Sequence, residues 1–140
     1  MIPFDLLLVL DLSSLHKDMF RMGNSTWPSF SRDRAKVDLL ILTIHGVETV
    51  VANGNGFSAF DHLTPIMKNP TKKIWKMKTG TPLDERIRLV KDLRRGHEGH
   101  YMLAPAENMP FEDYLQIFIN LAKDTTHCVP LFETKAPHGK

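Results

Sequence analysis

Hydrophobic and polar positions alternate over several short stretches of this chain. In KKIWKMKTG, Lys72–Gly80, Trp75 and Met77 fall on one face of an extended segment, and Ile74, Lys76 and Lys78 on the other. Val37–Gly46 (VDLLILTIHG) is rich in β-formers and ends at a glycine, which predicts a strand. Val47–Gly56 (VETVVANGNG) alternates at first and stops at Asn53-Gly54-Asn55-Gly56, residues that tolerate positive φ, so a tight turn is predicted there. Arg86–Leu93 and His100–Pro105 are two more predicted strands, and the apolar run of MFRMGNS reads as a strand around Arg21. Leu6–Leu10, an apolar run bracketed by Asp5 and Asp11, reads as a buried strand or a short helix.

A helical period replaces the alternation near the C-terminal end. Phe111, Leu115, Phe118, Ile119 and Ala122 fall on one helical stripe. Pro110 suits the helix start, Glu112 and Asp113 favour its positive end, and Lys123 sits in its last turn. A second, shorter helix is predicted from Ser58 through SAFDHL toward Pro65. Many short strands with few helices predict an α+β fold built as one domain over residues 1–140, with Thr134–Lys140 a frayed tail.

Composition changes this picture little. Hydrophobic residues make up 42% and charged residues 24% of the 140, which fits an ordinary soluble domain and excludes a low-complexity chain. A formal net charge of +2 is too small to argue for nucleic acid by itself. The single cysteine, Cys128, has no internal disulfide partner. Leu6–Leu10 is far shorter than the roughly 20 residues that span a bilayer. It also lacks the basic flank and cleavage site of a secretory leader. The expectation is therefore a protein of the cytoplasm without a membrane partner; if it leaves its producing cell, it does so without a classical signal peptide.

Several motifs carry candidate chemistry. His97-Glu98-Gly99-His100 places two histidines three apart, where the zinc-protease helix needs four. If His100 begins a strand, the two rings face opposite ways, so a polar turn with one structural histidine is expected and no metal site. Lys68, Lys72, Lys73, Lys76 and Lys78 surround Trp75, a pattern that suits nucleic acid if the ring is free to stack, and a solvated strand face if it is not. Gly54 and Gly56 would let backbone approach a ligand closely, or simply form a hairpin turn. Arg21, between Phe20 and Met22, must be paired, face a cleft or reach solvent from an edge; its planar fork suits phosphate or carboxylate. No Gly-x-Ser-x-Gly elbow marks a serine hydrolase, and His127-Cys128 are adjacent residues that point apart in a strand.

Four blocks in one order, MFRMGNS, VVANGNGFSAFDH, KKIWKMKTGTPLDERIRLVKD and GHYMLAPAENMPFEDYLQIF, resemble the small ADP-ribosyltransferase-like toxins delivered by type VI secretion systems. The matching residues are Phe20-Arg21, Ser58-Ala59-Phe60-Asp61, Gly80-Thr81-Pro82-Leu83 and His100-Tyr101 with Pro105, and they cover about Asp18 to Leu121. The resemblance implies a split antiparallel β-core of two packed sheets clasping NAD, with a few flanking helices. Arg21 would hold a phosphate or ribose of NAD, with Gly54, Gly56, Ser58 and Phe60 also on the cofactor. Ser58 would orient the nicotinamide-side ribose, and His100 would line the cleft centre; these two are the implied catalytic pair, while Tyr101 turns to the core. The implied partners are a cognate immunity protein and a secretion-system carrier, and the implied place of action is the cytosol of a target cell. Transferases of this fold use a late-strand glutamate. Here that strand carries no carboxylate and only Glu98 and Glu107 flank it, so NAD hydrolysis stands beside transfer. A non-catalytic domain binding nucleic acid or protein through Lys68–Lys78 is the alternative of another class.

Overall fold

The computed structural model describes residues 1–133. Among them, one antiparallel sheet has seven strands, in the order β1 (Leu7–Leu10), β7 (Ile87–Asp92), β8 (His100–Pro105), β5 (Phe57–Phe60), β2 (Met19–Gly23), β6 (Lys73–Met77) and β10 (Cys128–Pro130). A second antiparallel sheet has three, β3 (Ile41–Ile44), β4 (Val47–Val50) and β9 (Met109–Pro110). Two α-helices complete the fold, α1 (Arg32–Asp38) and α2 (Phe111–Lys123). The expected α+β class with two antiparallel sheets is therefore what the chain adopts.

Helix α2 forms where the 3.6-residue period was read, and Pro110 is its N-cap residue. Phe111, Tyr114, Leu115, Ile117 and Phe118 are buried, each contributing roughly 1.5–3 kcal/mol by leaving water. The stripe is turned toward Tyr114 and Ile117 relative to expectation: Ile119 is half-buried and Ala122 only flanks the core. Phe30, Phe57, Tyr114 and Phe118 pack with ring centroids 4.8–5.4 Å apart. The Tyr114 hydroxyl donates to the Leu103 carbonyl (2.6 Å) and accepts from the Phe57 N–H (3.2 Å), tying the helix to β8 and to the entry of β5. Strand β8 is buried on both faces: Tyr101 and Leu103 enter the large core under α2, while Met102 and Ala104 join Ile2, Leu7 and Val90 on the other side.

The sheet is weak at one place. The β2–β6 ladder runs from Met19↔Met77 to Gly23↔Lys73, and the β5–β8 ladder from Phe57↔Leu103 to Phe60↔His100. Strands β2 and β5, at the centre, share the single pair Phe20↔Phe60 and then diverge.

Four local expectations are corrected. Ser58-Ala59-Phe60 is strand, not helix, because Phe57 and Ala59 alternate into the core while β8 pairs along the same residues; only a 3-10 turn, Ile66–Lys68, follows Pro65. Val37 and Asp38 belong to α1, not to a strand, because the Ser31 hydroxyl caps that helix by accepting the Arg34 N–H (3.1 Å). The tight hairpin turn is His45-Gly46, with φ of 49° and 78°, between β3 and β4. Asn53–Gly56 instead crosses from one sheet to the other. There the buried Asn55 side chain clamps Ile2, accepting its N–H and donating to its carbonyl, both at 2.9 Å. Leu7–Leu10 is an edge strand with Leu8 and Val9 exposed. The frayed tail expected at Thr134–Lys140 lies outside the described residues. Among the described residues no helix is long and apolar enough to cross a membrane.

Candidate active site

Strand alternation builds the site. Since Phe57 and Ala59 point into the core, Ser58 and Phe60 emerge on the opposite face of β5. The register sets Phe60 beside His100, and the neighbouring strand β7 ends at Asp92. Three adjacent strands thus bring a serine, a histidine and an aspartate into one row. His100 Nε2 lies 2.9 Å from Ser58 Oγ, and His100 Nδ1 lies 2.7 Å from Asp92 Oδ2. The Phe60 ring covers the imidazole at 4.9 Å between centroids.

Asp92 anchors this row. Its side chain has no solvent exposure. Arg94 donates from Nε (3.1 Å) and Nη2 (2.8 Å) and from its backbone N–H (2.9 Å). Burial works against ionisation, but the hydrogen bonds from Arg94 and His100 outweigh it and hold the Asp92 carboxyl well below the usual carboxylate range. The ring bridges the two side chains, Nδ1 toward Asp92 and Nε2 toward Ser58; in the tautomer that donates from Nδ1, Nε2 is the acceptor for the Ser58 hydroxyl.

The HEGH turn departs from expectation. Gly96 and Gly99, with φ of 84° and 81°, curl the turn back, so that His97 and His100 converge on Asp92 instead of facing apart. Donor atoms of Asp92, His97 and His100 lie within 4.8 Å of one another. A cation would meet the Arg94 guanidinium, which already bonds both carboxylate oxygens and lies 3.3 Å from His97 Nδ1. The donor set is filled by an ion pair, which does not suit a metal.

Arg21 sits across the split between β2 and β5. It is 5% exposed and lies between the Phe30 and Phe57 rings, at 4.8 and 4.9 Å. Its Nε donates to the Pro28 carbonyl (2.7 Å), Nη1 to the Ser58 carbonyl (2.7 Å) and Nη2 to the Ser29 carbonyl (2.8 Å). Burial pulls its pKa down to about 10, which leaves it cationic at neutral pH. All three bonded partners are neutral carbonyls; the carboxylate whose charge reaches Arg21 is Asp38, which is itself paired with Arg34.

Two hollows share Ser58. One, of about 300 Å³, is lined by Arg21, Ser29, Arg34, Ser58 and Phe60. The other, of about 150 Å³, is lined by Ile2, Asp38, Gly56, Ser58 and His100. Arg21, Ser58, Phe60 and His100 are therefore brought together. Gly56 borders the second hollow, but its missing side chain makes room for protein: a Cβ there would stand 2.1 Å from the Leu103 carbonyl oxygen. Gly54 has φ of 84° and packs against Leu7 and Phe4, where it holds the N-terminal segment. Glu98 is tied to its own turn through the Gly96 N–H (3.0 Å), and Glu107 borders a separate, wider hollow of about 610 Å³ among Glu85, Arg86 and Arg88. The larger space has no buried polar row, so chemistry favours the smaller hollows at Ser58. The carboxylate that borders the Ser58 hollow is Asp38, paired with Arg34 at 3.2 Å.

Elsewhere, Trp75 is buried and its Nε1 donates to the Asn24 carbonyl (2.9 Å), so the lysine-rich stretch offers no free ring from that residue. Lys76 pairs with Asp18 at 3.8 Å, and Lys73 lies over Phe132. Cys128 is buried, and burial pushes its thiol up to about 11, away from a reactive thiolate.

Asp92, Arg94 and Asp38 were not anticipated. Asp92 carried one faint signal, a carboxylate closing an apolar strand next to an arginine-rich turn. Compared with family models, curated proteins and solved structures, the chain matches none.

Proposed function

We propose that this chain is an NAD-cleaving domain of the ADP-ribosyltransferase type, with its cleft at the split between β2 and β5. The observation that carries the reading is Arg21: a buried cation with no carboxylate bonded to it, lining a hollow with Ser58 and Phe60 at the point where the sheet opens. A buried cation with neutral partners favours an anionic ligand, and a pyrophosphate supplies one. The ribose next to it would then lie over Ser58 and His100, with Phe60 as an apolar wall. Cleaving the nicotinamide–ribose bond builds positive charge on the sugar, so the anion must be anchored away from the reacting carbon and the ribose oriented. The two hollows meeting at Ser58 support that division.

Glu98 and Glu107 lie away from this place, which favours hydrolysis of NAD over transfer to a protein acceptor. On this reading the chain would act as a toxin of the type VI effector kind in the cytosol of a target cell. A secretion-system carrier would deliver it, and an immunity protein would cover the cleft in the producer. The buried Trp75 disfavours nucleic-acid binding through Lys68–Lys78.

The test is incubation of the purified protein with NAD. Nicotinamide release is measured by chromatography and the melting temperature with and without NAD. Wild type should release nicotinamide and melt higher with NAD. Replacing the acid–base group, His100→Gln, should slow release by about 100-fold or more. No release above buffer together with no melting shift would overturn the proposal.

A further inference from the structure

We infer that Ser58 is a nucleophile which takes the ribosyl carbon covalently, so that the reaction runs in two displacements; this rests on the NAD reading above. A cleft that cleaves a ribosyl bond in one step commonly sets a free carboxylate against the developing charge. Here the two nearby carboxylates are both engaged. Asp92 is closed off from solvent and bonded by Arg94 and His100. Asp38 is paired with Arg34, and its side chain is 8% exposed. What the hollow offers instead is a serine hydroxyl already bonded to the ring of a histidine whose other nitrogen meets a fixed carboxylate. That arrangement activates an oxygen nucleophile. Ser58 is partly exposed and borders both hollows, and its Oγ meets His100, so an electrophilic carbon would approach Oγ from the hollow that Ser58 shares with His100.

Substitution at the ribosyl carbon suits these groups. The leaving base departs neutral, so no oxyanion forms and no oxyanion donors are required. In the first displacement the Ser58 Oγ–C1′ bond forms and the C1′–N bond breaks. The bonding pair goes to the ring nitrogen of nicotinamide, and the hydroxyl proton passes to His100 Nε2. In the second, water adds to C1′ and releases its proton to solvent, while His100 returns its proton to the departing Ser58 oxygen. The sum consumes one water and yields nicotinamide, ADP-ribose and one proton. Arg21 serves by holding the pyrophosphate, whose charge offsets a cation that would otherwise oppose charge building on the sugar.

Two readouts test this on the full chain. A fluorophosphonate reagent reports on the nucleophile without NAD: the Ser58 oxygen bonds phosphorus, fluoride leaves, and the proton goes to His100. Mass spectrometry should find the label on Ser58 in wild type, its loss in Ser58→Ala, and at least a tenfold slower rate in His100→Gln. With an NAD analogue fluorinated at the 2′ carbon, which slows breakdown of a ribosyl adduct, wild type should gain the mass of one fluorinated ADP-ribosyl group, mapped to Ser58. Ser58→Ala removes only one oxygen and should keep the fold while losing both signals. Nicotinamide release that survives in Ser58→Ala would overturn the nucleophile and leave the NAD reading standing. Neither NAD binding nor nicotinamide release in wild type would overturn both, even with Ser58 labelled.

Discussion

Replacing Arg21 with methionine keeps the length of the side chain and removes the charge and all its donors. The three hydrogen bonds to the Pro28, Ser58 and Ser29 carbonyls are charge-assisted, and such bonds are worth about 1.5–3 kcal/mol each. Simple addition overstates the loss, because removing a buried cation also recovers several kcal/mol of desolvation. Two carbonyls from the segment ahead of α1 and one from β5 would be left without a donor, at about 1–3 kcal/mol for each that water cannot reach. A net loss of about 3–4 kcal/mol follows, a large share of the 5–15 kcal/mol that holds a domain together. Equilibrium urea denaturation near neutral pH reads this directly. With a slope of about 1–3 kcal/mol per molar, the midpoint should fall by roughly 2 M with the slope unchanged. Arg21→Lys restores the charge but only a point donor in place of the fork, so it should recover less than half of the loss. A loss under about 1 kcal/mol for methionine would mean that the three carbonyls are wet and that Arg21 does not hold the split.

Two more expectations follow from the same geometry. Gly56→Ala drives a Cβ against the Leu103 backbone and should cost about 3 kcal/mol, whereas Gly96→Ala, with open space but φ of 84°, should cost about 1–2 kcal/mol of backbone strain; equal midpoints in urea would contradict the β5–β8 approach. Asp92→Asn tests linkage. The folded pKa of Asp92 is depressed, so its contribution is present above the unfolded value of about 4 and is lost as pH falls through and below it. Wild type should therefore exceed the variant by about 2 kcal/mol near pH 7, a figure reduced because Arg94 is partly exposed. The gap should begin to narrow below about pH 4 in denaturation curves and go on narrowing as pH falls toward the depressed folded value, and a gap that stays constant with pH would contradict the ionised anchor.

The sequence was most legible where one period ran long enough to repeat. Helix α2 and strand β6 follow from periods that separate an apolar face from a polar one, and β8 from a continuous apolar run that suits a strand buried on both faces. It was least legible where two periods overlap. Ser58-Ala59-Phe60-Asp61-His62-Leu63 satisfies a helical spacing and a strand alternation alike, and only pairing with β8 decides between them. Val37 and Asp38 look like the start of a β-rich run, yet a hydroxyl at Ser31 settles them as helix. For the site, Arg21, Ser58, Phe60 and His100 came from ordered blocks, and the fold brings all four together. Asp38 could not be read, and Asp92 offered only its place at the end of an apolar strand, which does not distinguish an aspartate that ends beside a histidine from one that ends in water.

Why the site lies where it does follows from backbone bookkeeping. A continuous seven-stranded sheet would satisfy the β2 and β5 carbonyls by ladder hydrogen bonds, but these strands part after one pair. The Ser58 carbonyl, facing the gap, needs a donor there, and so do those of Pro28 and Ser29. A side chain with several donors in one plane fills the role, and arginine has that shape. Repairing the split in this way leaves a positive charge inside the protein with no carboxylate bonded to it. The break in the sheet, the hollow and the charge thus have one cause. On the proposed function, an anion entering beside Arg21 would be drawn to the place where the diverging strands expose Ser58, and Ser58 is the residue that β8 and β7 have backed with His100 and Asp92. Closing the split by design, for instance by extending β2–β5 pairing, would remove the need for Arg21 and the room for the proposed ligand together, so a single substitution of Arg21 would change stability and the proposed binding at once.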